Sequence, residues 1–293
     1  MDRSREVTAY SALTTAAVVW GGSIVAQKIA LGPFSPVEVS VFRGLGALMI
    51  LIPLWWWRER APKFSLRDWV VFGALGLGVL GNHLLVLFGL QFIGAGGAGI
   101  IIGASPAITA FLSFLILRDV PFSKVWFGCV MSFAGVALVS WTGVKEGAGE
   151  NPLIGGTLIV LALMSWALYT IGSRRVMERF SPLTVNWTTL LISIFLQIPL
   201  LLTNHKMIVH GIQTVPMTGW LALGYVIVFA TALGQQAWLF GVEGVGPSRA
   251  GIFVNLIPVS ALVLSFLLLD ESIGGRELLG IALILGGVWF VNR

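Results

Sequence analysis

Ten apolar stretches, each long enough to cross a bilayer, run almost end to end through this chain and leave few architectures open. A membrane helix needs about 20 apolar residues to span roughly 30 Å of hydrocarbon. The stretches that meet this length lie at 7–30, 36–57, 69–92, 95–117, 123–142, 153–173, 182–203, 217–241, 248–269 and 274–292. The connections between them are short and carry Pro, Gly or charge, so no room is left for a soluble domain. Composition closes the soluble alternatives. Apolar residues make up 57% of the chain and charged residues 11%, against roughly 45–50% and about 25% in soluble domains. The first stretch is too long for a signal-peptide core and no clear small-residue cleavage site follows it, so it reads as a retained span. A lone Cys129 excludes a disulfide framework or a Cys-rich metal site.

A net charge of +5 and a pI near 9.8 would suit a nucleic-acid binder. In a membrane chain, topology explains the basic loops more simply. With the N-terminus inside, thirteen of the 18 Lys and Arg residues fall in cytoplasmic segments. Lys28, Lys145, Lys206 and Arg276 fall on the opposite side, and Arg43 lies within a span. That bias places both termini in the cytoplasm. Trp55, Trp56 and Trp57, just before Arg58, read as an interfacial aromatic belt.

The chain also repeats itself. Trp20, Phe34, Ser35, Pro36 and Pro53 recur 146 positions later as Trp166, Phe180, Ser181, Pro182 and Pro199. Further along the offset becomes 152: Phe88-Gly89 matches Phe240-Gly241, and Ala98, Gly99 and Pro106 match Ala250, Gly251 and Pro258. Gly128 and Gly135 then match Gly280 and Gly287. The six extra positions fall in the connection at about 204–216. A duplicated unit of five spans must enter the membrane from opposite sides in its two copies, because five is odd. The expected fold is therefore an all-α integral membrane protein of ten transmembrane helices. Residues 1–146 and 147–293 would form two inverted five-helix repeats around a central cavity, an architecture typical of secondary transporters.

These marks resemble the drug/metabolite transporter superfamily, its EamA type, and within it the YddG-like exporters of amino acids. The resemblance covers nearly the whole chain. It rests on Trp20-Gly21, Pro36 followed by Arg43, and Pro106, with Trp166, Pro182, Pro258 and Asp270-Glu271 in the second copy. Three departures stand out: Arg43 aligns with Thr189, Gly21 aligns with Ala167, and the acidic residue after span four is Asp119, behind Arg118. The resemblance implies ten helices around a central cavity in a bacterial inner-type membrane and export of small metabolites, aromatic and other amino acids among them.

Polar side chains in hydrocarbon are costly and face the bundle interior. Span one offers Trp20, Ser23 and Gln27 on one helical face, and span six offers Trp166, Tyr169 and Ser173 on the equivalent face. Asn82 and His83 lie midway along span three, with Gln235 and Gln236 at the matching depth of span eight. Ser105 and Asn255 complete a ring. The expected substrate site is Trp20, Asn82, His83, Ser105, Trp166, Tyr169, Gln235 and Asn255: amides and hydroxyls for an ammonium and a carboxylate, aromatic rings for an apolar body. Those rings would equally hold an organic cation. Each tryptophan also suits core packing, His83 also suits a bond between helices, and one of the two glutamines is expected to bond a neighbouring helix. Pro106 and Pro258, with Gly99 and Gly251 before them, are expected to bend their helices and serve as gates. For Arg43 two readings stand: an anchor paired with a carboxylate or helix end, or a docking charge for a substrate carboxylate.

No phosphate loop, HExxH or metal-ligand cluster appears, so neither metal nor cofactor is expected. Gly103-Ala104-Ser105-Pro106 is a poor hydrolase motif, which argues against an intramembrane enzyme. Glu38, Asp119, Glu243, Asp270 and Glu271 all map near span ends, so no carboxylate proton relay is visible and His83 is the remaining candidate for coupling. The expected function is an alternating-access exporter of small metabolites, amino acids above all, acting as a monomer. The alternatives are efflux of organic cations or other amphipathic compounds, and a channel-like facilitator. Nucleic acid is not an expected partner; the lipid bilayer is.

Overall fold

A computed structural model describes residues 3–59, 62–93, 98, 101–118, 122–146, 151–203, 215–260, 263 and 274–292. The described residues fall into ten helical stretches, here α1 to α10. These are α1 (Arg3–Ala30), α2 (Pro36–Arg58), α3 (Leu66–Phe92), α4 (Ser105–Leu117), α5 (Phe122–Glu146), α6 (Pro152–Val176), α7 (Pro182–Thr203), α8 (Met217–Val245), α9 (247–260) and α10 (Gly275–Asn292). Six of them, α1, α2, α3, α6, α7 and α8, are long and apolar enough to cross a membrane; Ser105–Leu117, Trp126–Leu138 and Leu278–Phe290 are shorter apolar helices. Large apolar side chains point outward, among them Trp57 at 79% exposure and Met49 at 77%, as lipid-facing positions require. Trp55 departs from the expected belt. It turns inward, 4.9 Å from the Trp187 ring, and its indole N–H donates to Thr184 Oγ1 at 3.0 Å.

Two stretches are irregular. The middle of α8, Val226–Gly234, is wound as a π-helix, and α9 passes from Pro247–Gly251 into a 3-10 segment at Ile252–Asn255. Gly246, with φ at 84°, makes the sharp turn between α8 and α9, a conformation glycine adopts without steric cost. The fourth span is not the continuous bent helix expected from Pro106. The chain turns at 103–104, and Pro106 lies in the first turn of α4, where its missing N–H costs nothing. Pro258 follows the 3-10 segment of α9.

The packing follows a pattern. α1 lies along α8 and α3 along α6, while α2 packs on α7, α4 on α9 and α5 on α10. Exchanging the first five helices for the second five, in order, leaves these pairings unchanged. The α5–α10 contact brings backbones together. A methyl on Gly135 would lie 2.5 Å from the Gly280 carbonyl oxygen, and one on Gly287 would lie 2.7 Å from that of Gly128. These contacts make the two helices antiparallel, with Ser132 Oγ donating to the Ile284 carbonyl at 3.4 Å between them.

Two turns with the same Phe-Ser-Pro sequence open α2 and α7. In the first, Ser35 Oγ accepts from Glu38 N at 3.2 Å and the Glu38 carboxylate accepts from Ser35 N at 2.8 Å, a capping box closed within one turn. In the second, Ser181 Oγ accepts from Thr184 N at 3.0 Å, but Thr184 stands where the first turn has its glutamate. The carboxylate comes from Glu59, just past the end of α2, accepting from Ser181 Oγ at 2.6 Å and from Thr184 Oγ1 at 2.8 Å. Nearby, Arg179 meets Asp68, the capping residue of α3, at 2.8 Å. Phe34 packs on Phe42 and Trp220, while Phe180 packs on Phe64 and Phe72.

Candidate functional site

At the centre of the bundle three tryptophans meet edge and face. Ring centroids lie 5.4 Å apart for Trp20 and Trp166, 5.4 Å for Trp20 and Trp238, and 5.7 Å for Trp166 and Trp238. Such pairs add about 0.5–1.5 kcal/mol each beyond the area they bury. Two of the three have their N–H groups satisfied: Trp20 donates to the Ala230 carbonyl in the π-helix at 2.9 Å, and Trp238 to Thr170 Oγ1 at 3.3 Å.

Beside this cluster lies a cavity of about 120 Å³, bounded by α1, α2, α3, α6, α8, α9 and residues 102 and 105 of the fourth span. Six of the eight expected site residues line it: Trp20, Asn82, His83, Ser105, Trp166 and Gln235. Ser23 and Gln27 line it as well, as their place on the Trp20 face implied, and so does Arg43. Tyr169 and Asn255 do not. Tyr169 is buried behind Trp166 and its hydroxyl accepts from Gln235 Nε2 at 3.2 Å, so it holds the wall from outside. Asn255 is wholly buried, and neither end of its amide has a partner among the described residues. Asn82 Nδ2 donates to the Ala162 carbonyl at 3.1 Å. Both glutamines bond neighbouring helices: Gln235 donates to Tyr169, and Gln236 accepts from Asn186 Nδ2 at 3.1 Å.

Apart from Gln235, the polar side chains of the cavity come from the first half. Ser23, Gln27, Arg43 and His83 have Tyr169, Ser173, Thr189 and Gln235 at the positions 146 or 152 residues on. The first set lines the cavity; of the second set only Gln235 does. Arg43 is buried, yet no carboxylate pairs with it among the described residues, where the ion pairs are Arg179–Asp68 and Arg249–Glu6. Its Nε donates to Thr231 Oγ1 at 2.9 Å, and its Nη1 reaches Gln27 Oε1 at 3.5 Å. Thr231 in turn donates to the Val226 carbonyl at 2.7 Å, five residues back along the π-helix. Of the expected hinge residues, Gly251 faces Thr109 of α4, where a methyl would sit 3.2 Å away, and Gly99 lies outside the described residues.

Trp238 and Thr231 escaped the sequence reading. Trp238 aligns with Val86, so a search for matched pairs passes over it. Thr231 gives no signal short of the π-helix that presents it. No group of three or more potential metal-ligating side chains occurs among the described residues. What the site offers is hydrogen-bonding side chains and aromatic faces lining one cavity, within a bundle of apolar exterior. That equipment suits a membrane transporter.

Comparison with known proteins agrees with that class. The profile of the EamA-like transporter family matches residues 7–141 and again residues 153–293, and the chain belongs to this family of membrane transporters. YyaM of Bacillus subtilis strain 168, named an uncharacterized transporter, is 29% identical over 290 residues, covering 97% of this chain and 93% of its own. YedA of Escherichia coli K12, named an uncharacterized inner membrane transporter, is 24% identical over 287 residues, covering 97% and 90%. A solved crystal structure shares the fold with a TM-score of 0.80 at 19% identity, over 100% of this chain and 99% of the other. The family and these relatives are transporters rather than enzymes. The narrower likeness to aromatic amino-acid exporters is carried by none of these names.

Proposed function

We propose that this transporter exports small metabolites, amino acids including aromatic ones foremost, by alternating access between inverted halves 1–146 and 147–293. It would work as a monomer with both termini in the cytoplasm. The observation that carries this reading is the cavity itself, a polar and aromatic chamber walled by helices of both halves. Two features support the inversion: helix pairings that survive exchange of the halves, and the antiparallel run of α5 against α10.

The cavity also lies toward one end. Gln27 and Val86 are nearer the C-terminal ends of α1 and α3, and Arg43 nearer the start of α2. The opposite end is tied by Glu59 to Ser181 and Thr184 and by Asp68 to Arg179. Opening to that end must break these ties, while the irregular backbone before Pro106 and Pro258 lets α4 and α9 tilt. Irregular or widened helical turns mark functional hinges.

Purified protein in vesicles loaded with phenylalanine tests the reading. Efflux should saturate and labelled phenylalanine should exchange across the bilayer. Trp20→Ala, His83→Ala and Trp166→Ala should each cut the rate several-fold with insertion intact. Three variants exporting at the parent rate would remove the site, and linear, non-exchanging flux would point to a channel.

A further inference from the structure

We propose that Arg43 is the docking charge for a carboxylate on the transported molecule, which makes the cargo carboxylic acids and amino acids and excludes amines that lack the acid group. The inference rests on the exporter reading and narrows its substrate class.

A guanidinium carries five N–H donors and stays charged. Arg43 spends one on Thr231 and reaches Gln27 weakly with another, which leaves its Nη2 group without a protein acceptor among the described residues. A buried charge without a counter-ion is strongly unfavourable, and this one lines the cavity. Two neighbours on the same cavity wall share its condition. Among the described residues the Oγ of Ser105, a residue 1% exposed, has no hydrogen-bond partner, and the His83 ring makes no protein hydrogen bond while standing within electrostatic reach of Arg43. Three polar groups thus face one space with their bonds unmade. A planar carboxylate meets the fork of the guanidinium with two parallel bonds and takes a third from the serine hydroxyl. The body of the molecule then lies against Trp20 and Trp166. A lone ammonium would meet like charge instead. The position equivalent to Arg43 is Thr189, whose hydroxyl is spent on the Val185 and Asn186 carbonyls, so one half alone holds the charge.

The test uses the full chain in detergent and in vesicles, with binding read from tryptophan fluorescence and three probes. Phenylalanine has both groups, 3-phenylpropionate lacks the ammonium and phenylethylamine lacks the carboxylate. The parent should bind the two acids and not the amine. Arg43→Gln should weaken both acids at least about 30-fold, since truncating a buried charge partner costs about 2–5 kcal/mol, and should gain phenylethylamine binding, a gain that requires a folded pocket. Arg43→Lys should restore part of the acid affinity. Chloride should compete with the acids. A requirement for chloride would mark a resident inorganic anion as the occupant and overturn the proposal. So would amine binding as tight as acid binding in the parent, or unchanged acid affinity in Arg43→Gln. Export of phenylethylamine without the acids would sink the docking charge and keep the exporter. Tight acid binding without flux would sink the exporter and keep the docking charge.

Discussion

The two Phe-Ser-Pro turns begin alike and end differently. The turn into α2 closes on its own Glu38, so its cap is a local affair of four residues. The turn into α7 has Thr184 in place of that glutamate and draws its carboxylate from Glu59, 122 positions away from Ser181. A cap completed within one helix start cannot sense how the halves are disposed. A cap completed from another helix exists only while the two remain together. The same chemistry is a fixture at one end of the molecule and a fastening at the other.

Substitutions that break the fastening should have the largest effect. Glu59→Ala leaves the Ser181 and Thr184 hydroxyls, the latter buried, without their acceptor and should cost about 1–3 kcal/mol, seen as a lower thermal midpoint in detergent. It should also raise the reactivity of a cysteine placed at Leu183, buried in the same turn. Returning the carboxylate to the local position, Thr184→Glu with Glu59→Ala, should recover stability but not the protection of that end; recovery of both would mean the tie is only a cap. Glu38→Ala should cost about 0.5–2 kcal/mol and leave accessibility at the far end unchanged. If it opened that end as Glu59→Ala does, the contrast between the turns would collapse. The smallest effect belongs to Arg179→Ala. Arg179 is 64% exposed in its pair with Asp68, and an exposed pair is worth about 0–1 kcal/mol and fades in salt.

The order of the helices was legible because a bilayer imposes a length threshold that apolar runs meet or miss, whatever their detailed packing. Six of the eight expected site residues line one cavity because a polar side chain within an apolar run has few directions available to it. Other features left no trace. Pro106 reads as a mid-helix bend from its distance to the span ends, yet the chain turns at 103–104 and the proline starts a helix. Tyr169 sits on the same helical face as Trp166, but the larger ring ahead of it takes the cavity wall. A charge such as Arg43 reads as needing a carboxylate or a helix end, while the group that holds it is a threonine hydroxyl 188 residues away, presented by a π-helix that no sequence period announces. The inward turn of Trp55 likewise depends on Thr184 of another helix.

Gly128, Gly135, Gly280 and Gly287 meet backbone to backbone. A side chain gained at Gly135 or Gly287 strikes a main chain held rigid by its own helix, which cannot step aside as another side chain would. Substitution is therefore constrained unevenly. Around the chamber, arginine and threonine, or serine and tyrosine, occupy corresponding positions of the two repeats. Along the α5–α10 seam the glycines of one repeat are confined by the backbone of the other.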